Sequence, residues 1–552
     1  MRNQPLGRSW LLVFCLLLAV PWGCGGAGES DEVADADAGD FQRRPLIVLG
    51  VDGATWDLID PMIARGELPN FRRLVETGLR GDLVSIPPLS SPPVWTTVAT
   101  GRFARHHNVL DHVFPYVDGP KRRVSSRQRR VPALWNVASH HDRSVAVVGY
   151  YATHPVEEVH GAMVSDRAGR GVAGGIYPPA LEEELAPVLE ELQQADEIAA
   201  LRRKYLPWPY DDTAIHRPED PYHRATQVVI GRIAKHLVWE ELVRRAALRL
   251  APRQHDLLMV YLRMPDHASH ATWLYFDPTS FPQPPDPFDE ELLRDIIPTA
   301  YRDTDAYLGE LLAAVGSEAN VVVLSDHGFG PAIEDWHAGR KATDLRHLSG
   351  SHRPDGIFLA AGPDFQSGEI EGLSILDIAP TLLAALGLPV SEELPGRVAE
   401  EVFLPAFLKA VPPRQTPGYR MRWRTVEEPE VPAAATEIED LKILESLGYV
   451  ESGVSLAPAD ARELAEFWSI SPRLSRNAII GETLFHLTRG DQGAIEALIR
   501  LVEEHDPELL RALGRITRQR AETWQGSFDF TLVDAATREW FAACCASATG
   551  SG

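Results

Sequence analysis

Cysteine is nearly absent from the body of this chain. Four Cys occur in 552 residues: Cys15, Cys24, Cys544 and Cys545, two close to each end. No disulfide framework is possible in the central region. There is no Cys-x-x-Cys motif either, so any bound metal must be held by His and carboxylate side chains. Basic charge is also scarce. Lys and Arg number 54 against 78 Asp and Glu, for a net charge of −24, which argues against a nucleic-acid backbone as the main partner. Acidity does not exclude an anionic substrate, because bound cations reverse the local field. A long apolar run is missing: Trp10 to Val20 is apolar but too short to span a bilayer comfortably. No clear repeat period is visible, so a solenoid is not indicated.

What is present is the composition of an ordinary globular protein, 44% apolar and 24% charged, with length for one large domain and an appendage. The first two dozen residues have the features of an export signal. Arg2 and Arg8 supply a positive start, Trp10 to Val20 the apolar core, and Gly23-Cys24 the closing pair. A small residue directly before Cys resembles the bacterial lipoprotein cleavage site, although Pro21 stands where that pattern prefers Leu. Cys24 is then expected to become a lipidated N-terminus, with ordinary cleavage or a retained anchor as alternatives. The expected location is the periplasmic face of a bacterial membrane or the cell surface. Gly25 to Asp40 is small, acidic and aperiodic, which suits a flexible tether, expected over 25–44.

From residue 45 apolar runs alternate with helical patterns, which predicts an α/β fold. The expected form is a doubly wound, mixed and mostly parallel sheet with helices on both faces. Strands are predicted at Pro45 to Val51, Ser144 to Tyr150, Asp256 to Leu262, Asn320 to Leu324 and Gly356 to Ala361, and helices at Leu68 to Thr77 and Ile375 to Gly387. Residues 170–250 are predicted to be mostly helical with a break at Tyr205 to Tyr222, and Asp277 to Phe288 to be a long loop. This domain is expected to span 45–411. A Pro/Glu-rich linker is expected at 412–455 and a helical region of unknown role at 456–540, including Ala478 to Thr488 and Gln492 to Glu503.

Three predicted strands end in potential metal ligands: Asp52, Asp266 shortly after its strand, and Asp326-His327. Open α/β sheets place their sites beyond the carboxyl ends of strands, so these ends are expected to converge. Asp266 and His270 are four apart, on one face of a helical turn. His352 lies just before another strand. Taken singly, Asp52-Gly53 reads as a turn and His270 or His352 as a surface histidine. Their order, each at or near a strand end, is what favours chemistry. An oxygen/nitrogen donor set of this kind suits zinc and tolerates manganese.

That order resembles the type I phosphodiesterase/nucleotide pyrophosphatase family, within the alkaline phosphatase superfamily. The segments that carry the resemblance are VLGVDGATW, SSPPVWTTVATG, YLRMPDHASHATW, VVVLSDHGFG, SGSHRPDGIFLAAGP and SILDIAPTLLAALGLP. The resemblance implies two divalent metal ions, zinc first and manganese second. One would be held by Asp52, Asp326 and His327, and the other by Asp266, His270 and His352. Ser91 would bridge them as nucleophile, chosen over Ser90 by counting back from Thr100-Gly101, where the family motif also ends. The implied reaction is hydrolysis of a small phosphoester, a diester first, through a phosphoseryl intermediate.

Two departures stand inside the nucleophile motif. Pro92 has no N–H to offer a phosphoryl oxygen, and Val94 replaces the phosphate-binding Asn usual in nucleotide pyrophosphatases. A nucleotide substrate is therefore less secure than phosphoester hydrolysis itself. His337 and His347 compete with His352 for the last ligand position. His106, His107 and His112 are assigned structural or supporting roles, as are Arg353 and Asp355. Other readings are a phosphomonoesterase, a sulfatase (although no Arg follows in Ser91-Pro92-Pro93-Val94-Trp95), or a phosphoglycerol transferase. A non-enzymatic alternative is a tethered envelope protein with a degenerate catalytic domain, whose C-terminal helices bind an unidentified protein.

Overall fold

The computed structural model describes residues 43–114, 122–170, 172–205, 221–333, 349–425, 472–489, 491–506 and 509. The expected export signal with Cys24, the expected tether up to Gln42, most of the expected 412–455 linker, His337 and His347 lie outside the described residues. Among the described residues no helix is long and apolar enough to cross a membrane.

A nine-stranded sheet organises the molecule. In chain order its strands are β1 (Leu46–Val51), β2 (Leu79–Val84), β3 (Val145–Val148), β4 (Gly161–Val164), β5 (Ile176–Tyr177), β6 (Leu257–Leu262), β7 (Asn320–Leu324), β8 (Asp355–Ala361) and β9 (Gly368–Ser374). Their spatial order is β9-β2-β8-β7-β1-β6-β3-β4-β5. The central block β7-β1-β6-β3-β4 is parallel. Only β8 and β5 run against their neighbours, so the sheet is mixed and mostly parallel, as expected.

β1 occupies the middle, and every residue of LIVLGV is buried. A parallel strand covered by helices on both faces must be apolar on both, which is why β1, β6 and β7 read as unbroken apolar runs. Each buried Val, Leu or Ile contributes about 1.5–3 kcal/mol relative to exposure. Four strands went unpredicted: β2, β4, β5 and β9. β2 and β9 lie at one end of the sheet and are half polar, LRGDLV and GEIEGLS, while β4 and β5 have four and two residues.

Seven helices matter below: α1 (Ser91–Thr100), α2 (Pro221–Leu250), α3 (Met264–Phe276), α4 (Ile296–Val315), α5 (Ile378–Ala385), α6 (Pro472–Thr488) and α7 (Gln492–His505). Two further helices, Pro179–Leu192 and Ala195–Tyr205, share the 170–250 region with α2. The predicted 277–288 loop instead holds a 3-10 turn at Pro278–Ser280 and the start of a helix at Pro287–Leu293, where Asp286 caps the first turn. α6 begins at Pro472, earlier than predicted, because proline is well tolerated in a first helical turn.

Candidate metal centre and nucleophile

The order β7-β1-β6 sets three parallel strands side by side, so their carboxyl ends open on one crevice. Asp52 follows β1 directly, and the chain turns at Gly53, whose φ is +68°. A Cβ there would lie 3.1 Å from the Asp266 Cα, so this turn needs glycine twice over. Asp52 is buried, and its two oxygens are used differently. Tyr261, on β6, donates its hydroxyl to Oδ2. Oδ1 is left facing inward, 3.4 Å from Ser91 Oγ and 3.4 Å from His327 Nε2.

Asp326 and His327 follow β7 and are fully buried. The Gly53 N–H points at Asp326 Oδ1 from 3.4 Å. Ser325 ties the two strand ends together, accepting from the Ala54 N–H at 3.0 Å and donating to the His327 carbonyl at 2.6 Å. The other Asp326 oxygen, Oδ2, has no hydrogen-bond partner and lies 3.3 Å from His327 Nε2.

Asp266 stands in the first turn of α3 with His270 one turn further on, as the spacing predicts. His352 comes from a two-stranded ribbon, Gly328–Pro331 paired with Gly350–Arg353, which directly precedes β8. Asp266 Oδ1 lies 3.4 Å from His270 Nε2 and 3.2 Å from His352 Nε2, and the two Nε2 atoms are 2.8 Å apart.

The other ring nitrogens show the tautomers. Nδ1 of His270 faces the Gly350 carbonyl at 3.2 Å, Nδ1 of His327 faces the Gly328 carbonyl at 3.1 Å, and Nδ1 of His352 faces the Leu89 carbonyl. A carbonyl only accepts, so each Nδ1 carries the proton and each Nε2 presents a lone pair to the crevice. This is how metal-binding histidines are oriented.

Two sets of three donor atoms fall within 4.8 Å of one another: Asp266, His270 and His352, and Asp52, Asp266 and His327. The sequence-based grouping gave Asp266 to the first set alone, with Asp326 in the second. In the structure Asp266 faces both, and Asp326 borders the second set through His327.

The electrostatics call for cations. Asp52, Asp266 and Asp326 are buried, and among the described residues no Lys or Arg pairs with any of them. Burial, then the charge of Asp266, raises the Asp52 carboxyl to about 7. Burial and the charge of Asp52 push Asp326 well above the usual range. Burial also raises Asp266, but its contacts with His270 and His352 outweigh that and hold it well below. Ionised carboxylates this close are unfavourable unless positive charge lies between them. The unpartnered Asp266 Oδ1, Asp326 Oδ2 and His327 Nε2 are the atoms that divalent ions would satisfy. The donor set therefore fits zinc or manganese.

Ser91 is the first residue of α1 and is 3% exposed. Its hydroxyl faces Asp52, whereas the buried Ser90 hydroxyl meets no partner. Pro92 and Pro93 contribute no N–H, and the Val94 N–H closes onto the Ser90 carbonyl at 3.1 Å. The first turn of α1 thus offers an anion only the Ser91 N–H.

The remaining predicted residues fall around this centre. His107 supports α1, with Nε2 3.1 Å from Thr97 Oγ1 and Nδ1 accepting from the Val109 N–H at 3.1 Å. His106 packs beside Phe103 and His112 beside Tyr151. Arg353 donates to the Pro331 carbonyl at 2.6 Å and so holds the ribbon, while Asp355 is exposed. Sequence reasoning missed Tyr261, Ser325 and the three carbonyls that orient the histidines. Tyr261 left one trace: a tyrosine near the end of an otherwise aliphatic strand needs a partner for its hydroxyl.

A doubly wound sheet with an Asp/His donor cluster and a serine at a helix start, all at its carboxyl edge, defines a metal-dependent hydrolase type. The family described as type I phosphodiesterase / nucleotide pyrophosphatase matches residues 46–361, and the chain belongs to that family, whose members hydrolyse phosphoesters. No curated protein matches the chain. Among solved structures it is similar to human ectonucleotide pyrophosphatase / phosphodiesterase 5, at 13% identity over 65% of this chain and 99% of that one, with a TM-score of 0.38. It is also similar to phosphonoacetate hydrolase from Sinorhizobium meliloti 1021, in complex with phosphonoformate. That likeness is at 17% identity over 52% of this chain, with a TM-score of 0.31. The chain spans a little over half, 57%, of the length of this hydrolase.

Proposed function

We propose that the protein hydrolyses small phosphoesters, diesters in preference to monoesters, with Ser91 as nucleophile between two divalent metal ions. The observation that carries this reading is the placement of Ser91 Oγ 3.4 Å from Asp52 Oδ1, beside three Nε2 lone pairs and unpartnered carboxylate oxygens. Bound ions would supply the positive charge that lowers the serine pKa and stabilises developing oxyanions. Asp52, Asp326 and His327 would hold one ion and Asp266, His270 and His352 the other, with Asp266 placed to reach both.

The chain's own part is positioning. Asp52 Oδ1 accepts the Ser91 hydroxyl and aims its oxygen at the crevice. In-line attack by Ser91 Oγ on phosphorus forms the Oγ–P bond and expels one ester alcohol, which leaves with the proton given up by Ser91. The seryl phosphodiester that remains still carries the second ester group, and water cleaves its Oγ–P bond to release the phosphomonoester and regenerate Ser91. With only one backbone donor at the start of α1, the protein binds the phosphoryl oxygens weakly on that side. This favours a substrate held by its other groups and leaves a nucleotide as one choice among small phosphoesters.

The export signal at Arg2, Arg8 and Trp10 to Val20, with Gly23-Cys24, supports a lipid-anchored protein outside the cytoplasm. The net charge of −24 supports a small substrate rather than a nucleic acid.

The direct test is Ser91→Ala, assayed on bis-p-nitrophenyl phosphate, p-nitrophenyl phosphate and p-nitrophenyl sulfate with zinc or manganese. Loss of kcat by about 10³-fold or more, with metal content unchanged and diester preferred in the wild type, is expected. Sulfate preference, or full activity in Ser91→Ala, would overturn the reading.

A further inference from the structure

We infer that helix α6 is a positioning brace for the segment Pro87–Ser91, and that Gly481 is the residue through which it acts. The inference rests on the site proposed above and extends it to a part of the chain that no family match reaches.

A glycine inside a helix costs about 1 kcal/mol relative to alanine, so Gly481 needs a reason. A Cβ at Gly481 would stand 1.7 Å from the Pro87 carbonyl oxygen and 2.9 Å from its carbon. The helix backbone therefore lies directly on the loop that leads into the nucleophile.

That loop has little to hold it. Pro87 and Pro88 carry no N–H, and the Ser90 N–H turns back on the Pro88 carbonyl at 2.8 Å. Two members of the site nevertheless depend on it. Ser91 follows directly, and the Leu89 carbonyl accepts from His352 Nδ1 and so fixes which nitrogen of that ring faces the ions.

The helix is pinned from the residue after its glycine to its C-terminal end. Arg105 donates to both oxygens of Glu482, at 2.8 and 2.6 Å. Arg489 reaches both oxygens of the buried Asp377, at 2.8 and 2.7 Å. Asp377 in turn accepts the Ser374 and Arg397 N–H groups at 3.0 and 2.8 Å, just before α5. Phe485 meets Phe103 edge-on at 5.3 Å. The Arg105–Glu482 contact uses two guanidinium nitrogens on two oxygens, so it specifies direction as well as energy. α6 is thus held in register on the catalytic domain, with Gly481 against Pro87.

The test is Gly481→Ala in the full-length protein. Alanine strengthens the helix by propensity, so any loosening must come through the contact. Amide hydrogen exchange at Leu89–Ser91 is expected to rise about tenfold or more. Affinity for the weaker of two Co²⁺ equivalents, read from the visible spectrum, is expected to fall about 10–100-fold. Turnover is expected to drop in kcat with KM little changed. Val502→Ala, a cavity in the companion helix α7, serves as a merely destabilising reference and should leave all three readouts at wild-type values. If Gly481→Ala does not fold, Arg105→Ala loosens the same seat and is expected to raise exchange at Leu89–Ser91. Unchanged exchange and Co²⁺ affinity in either variant, even with a lowered Tm, would overturn the brace. Failure of the wild type to bind Co²⁺ would instead overturn the metal reading, with the exchange data still deciding the brace.

Discussion

The Nε2 atoms of His270 and His352 stand 2.8 Å apart, each on a ring whose Nδ1 faces a main-chain carbonyl. Two lone pairs in that position repel one another unless a cation lies beside both. The protein stripped with a chelator is therefore expected to take up two equivalents of zinc, and His352→Ala only one tight equivalent, by equilibrium dialysis with elemental analysis. Free zinc at 100 times its Kd should stabilise the stripped protein by about 2.7 kcal/mol, visible as a rise in Tm. A stripped protein that binds no zinc would remove the metal assignment altogether.

Much of this centre was legible in the sequence because its ligands sit where local pattern is strongest. Asp52 and Asp326 close apolar runs that can only be buried strands, and Asp266 and His270 share one turn of α3. β2 and β9 were hidden for the opposite reason: a half-exposed strand alternates with polar residues and looks like loop. The sharing of Asp266 between the two donor sets could not be read either, since it depends on how closely α3 approaches Gly53. The Leu89 and Gly350 carbonyls are main-chain atoms, and no residue type signals them.

Tyr261 holds one oxygen of Asp52 and leaves the other for the crevice. Tyr261→Phe keeps the ring between Trp95 and Tyr151 and removes only the hydroxyl. It is expected to lower metal affinity or kcat by about 10–100-fold, with a loss of stability near 1 kcal/mol for the hydrogen bond. Isothermal titration with zinc, alongside turnover, separates the two effects. Wild-type affinity and turnover in this variant would show that Asp52 needs no such support.

His107 links the fold to pH. It is fully buried, and burial, followed by the charges of His106 and Arg129, lowers its pKa to about 3. The neutral ring is also required by its contacts, because Nδ1 accepts from the Val109 N–H. A histidine whose folded pKa is depressed gives stability that is fully present above its unfolded value near 6.5 and is lost as pH falls towards 3. Between pH 7 and pH 5 this one group should account for about 2 kcal/mol of lost stability. Urea unfolding of the wild type and His107→Asn at both pH values checks it. The variant, less stable at pH 7, should show the smaller drop; equal drops would mean that His107 titrates alike in the folded and unfolded states, and a larger drop in the variant that it is charged in the folded state.

Trp95, in the second turn of α1, lies against Gly50 of β1, where a Cβ would come within 2.6 Å of its ring. The indole is wholly buried, edge-on to Tyr150 at 5.6 Å and Tyr261 at 5.0 Å, so it has no room to retreat. Gly50 therefore sets how closely the helix that carries Ser91 approaches the strand that carries Asp52. Gly50→Ala is expected to cost about 1–3 kcal/mol of stability by overpacking, and to lower kcat by moving Ser91 away from Asp52. Trp95→Phe should relieve the collision, so the double variant is expected to be more stable than the sum of the single changes predicts, by about 0.5–3 kcal/mol. Chemical denaturation of all four proteins measures that coupling. Strict additivity would show that strand and helix are not in the contact described, and that the Ser91 to Asp52 spacing is set elsewhere.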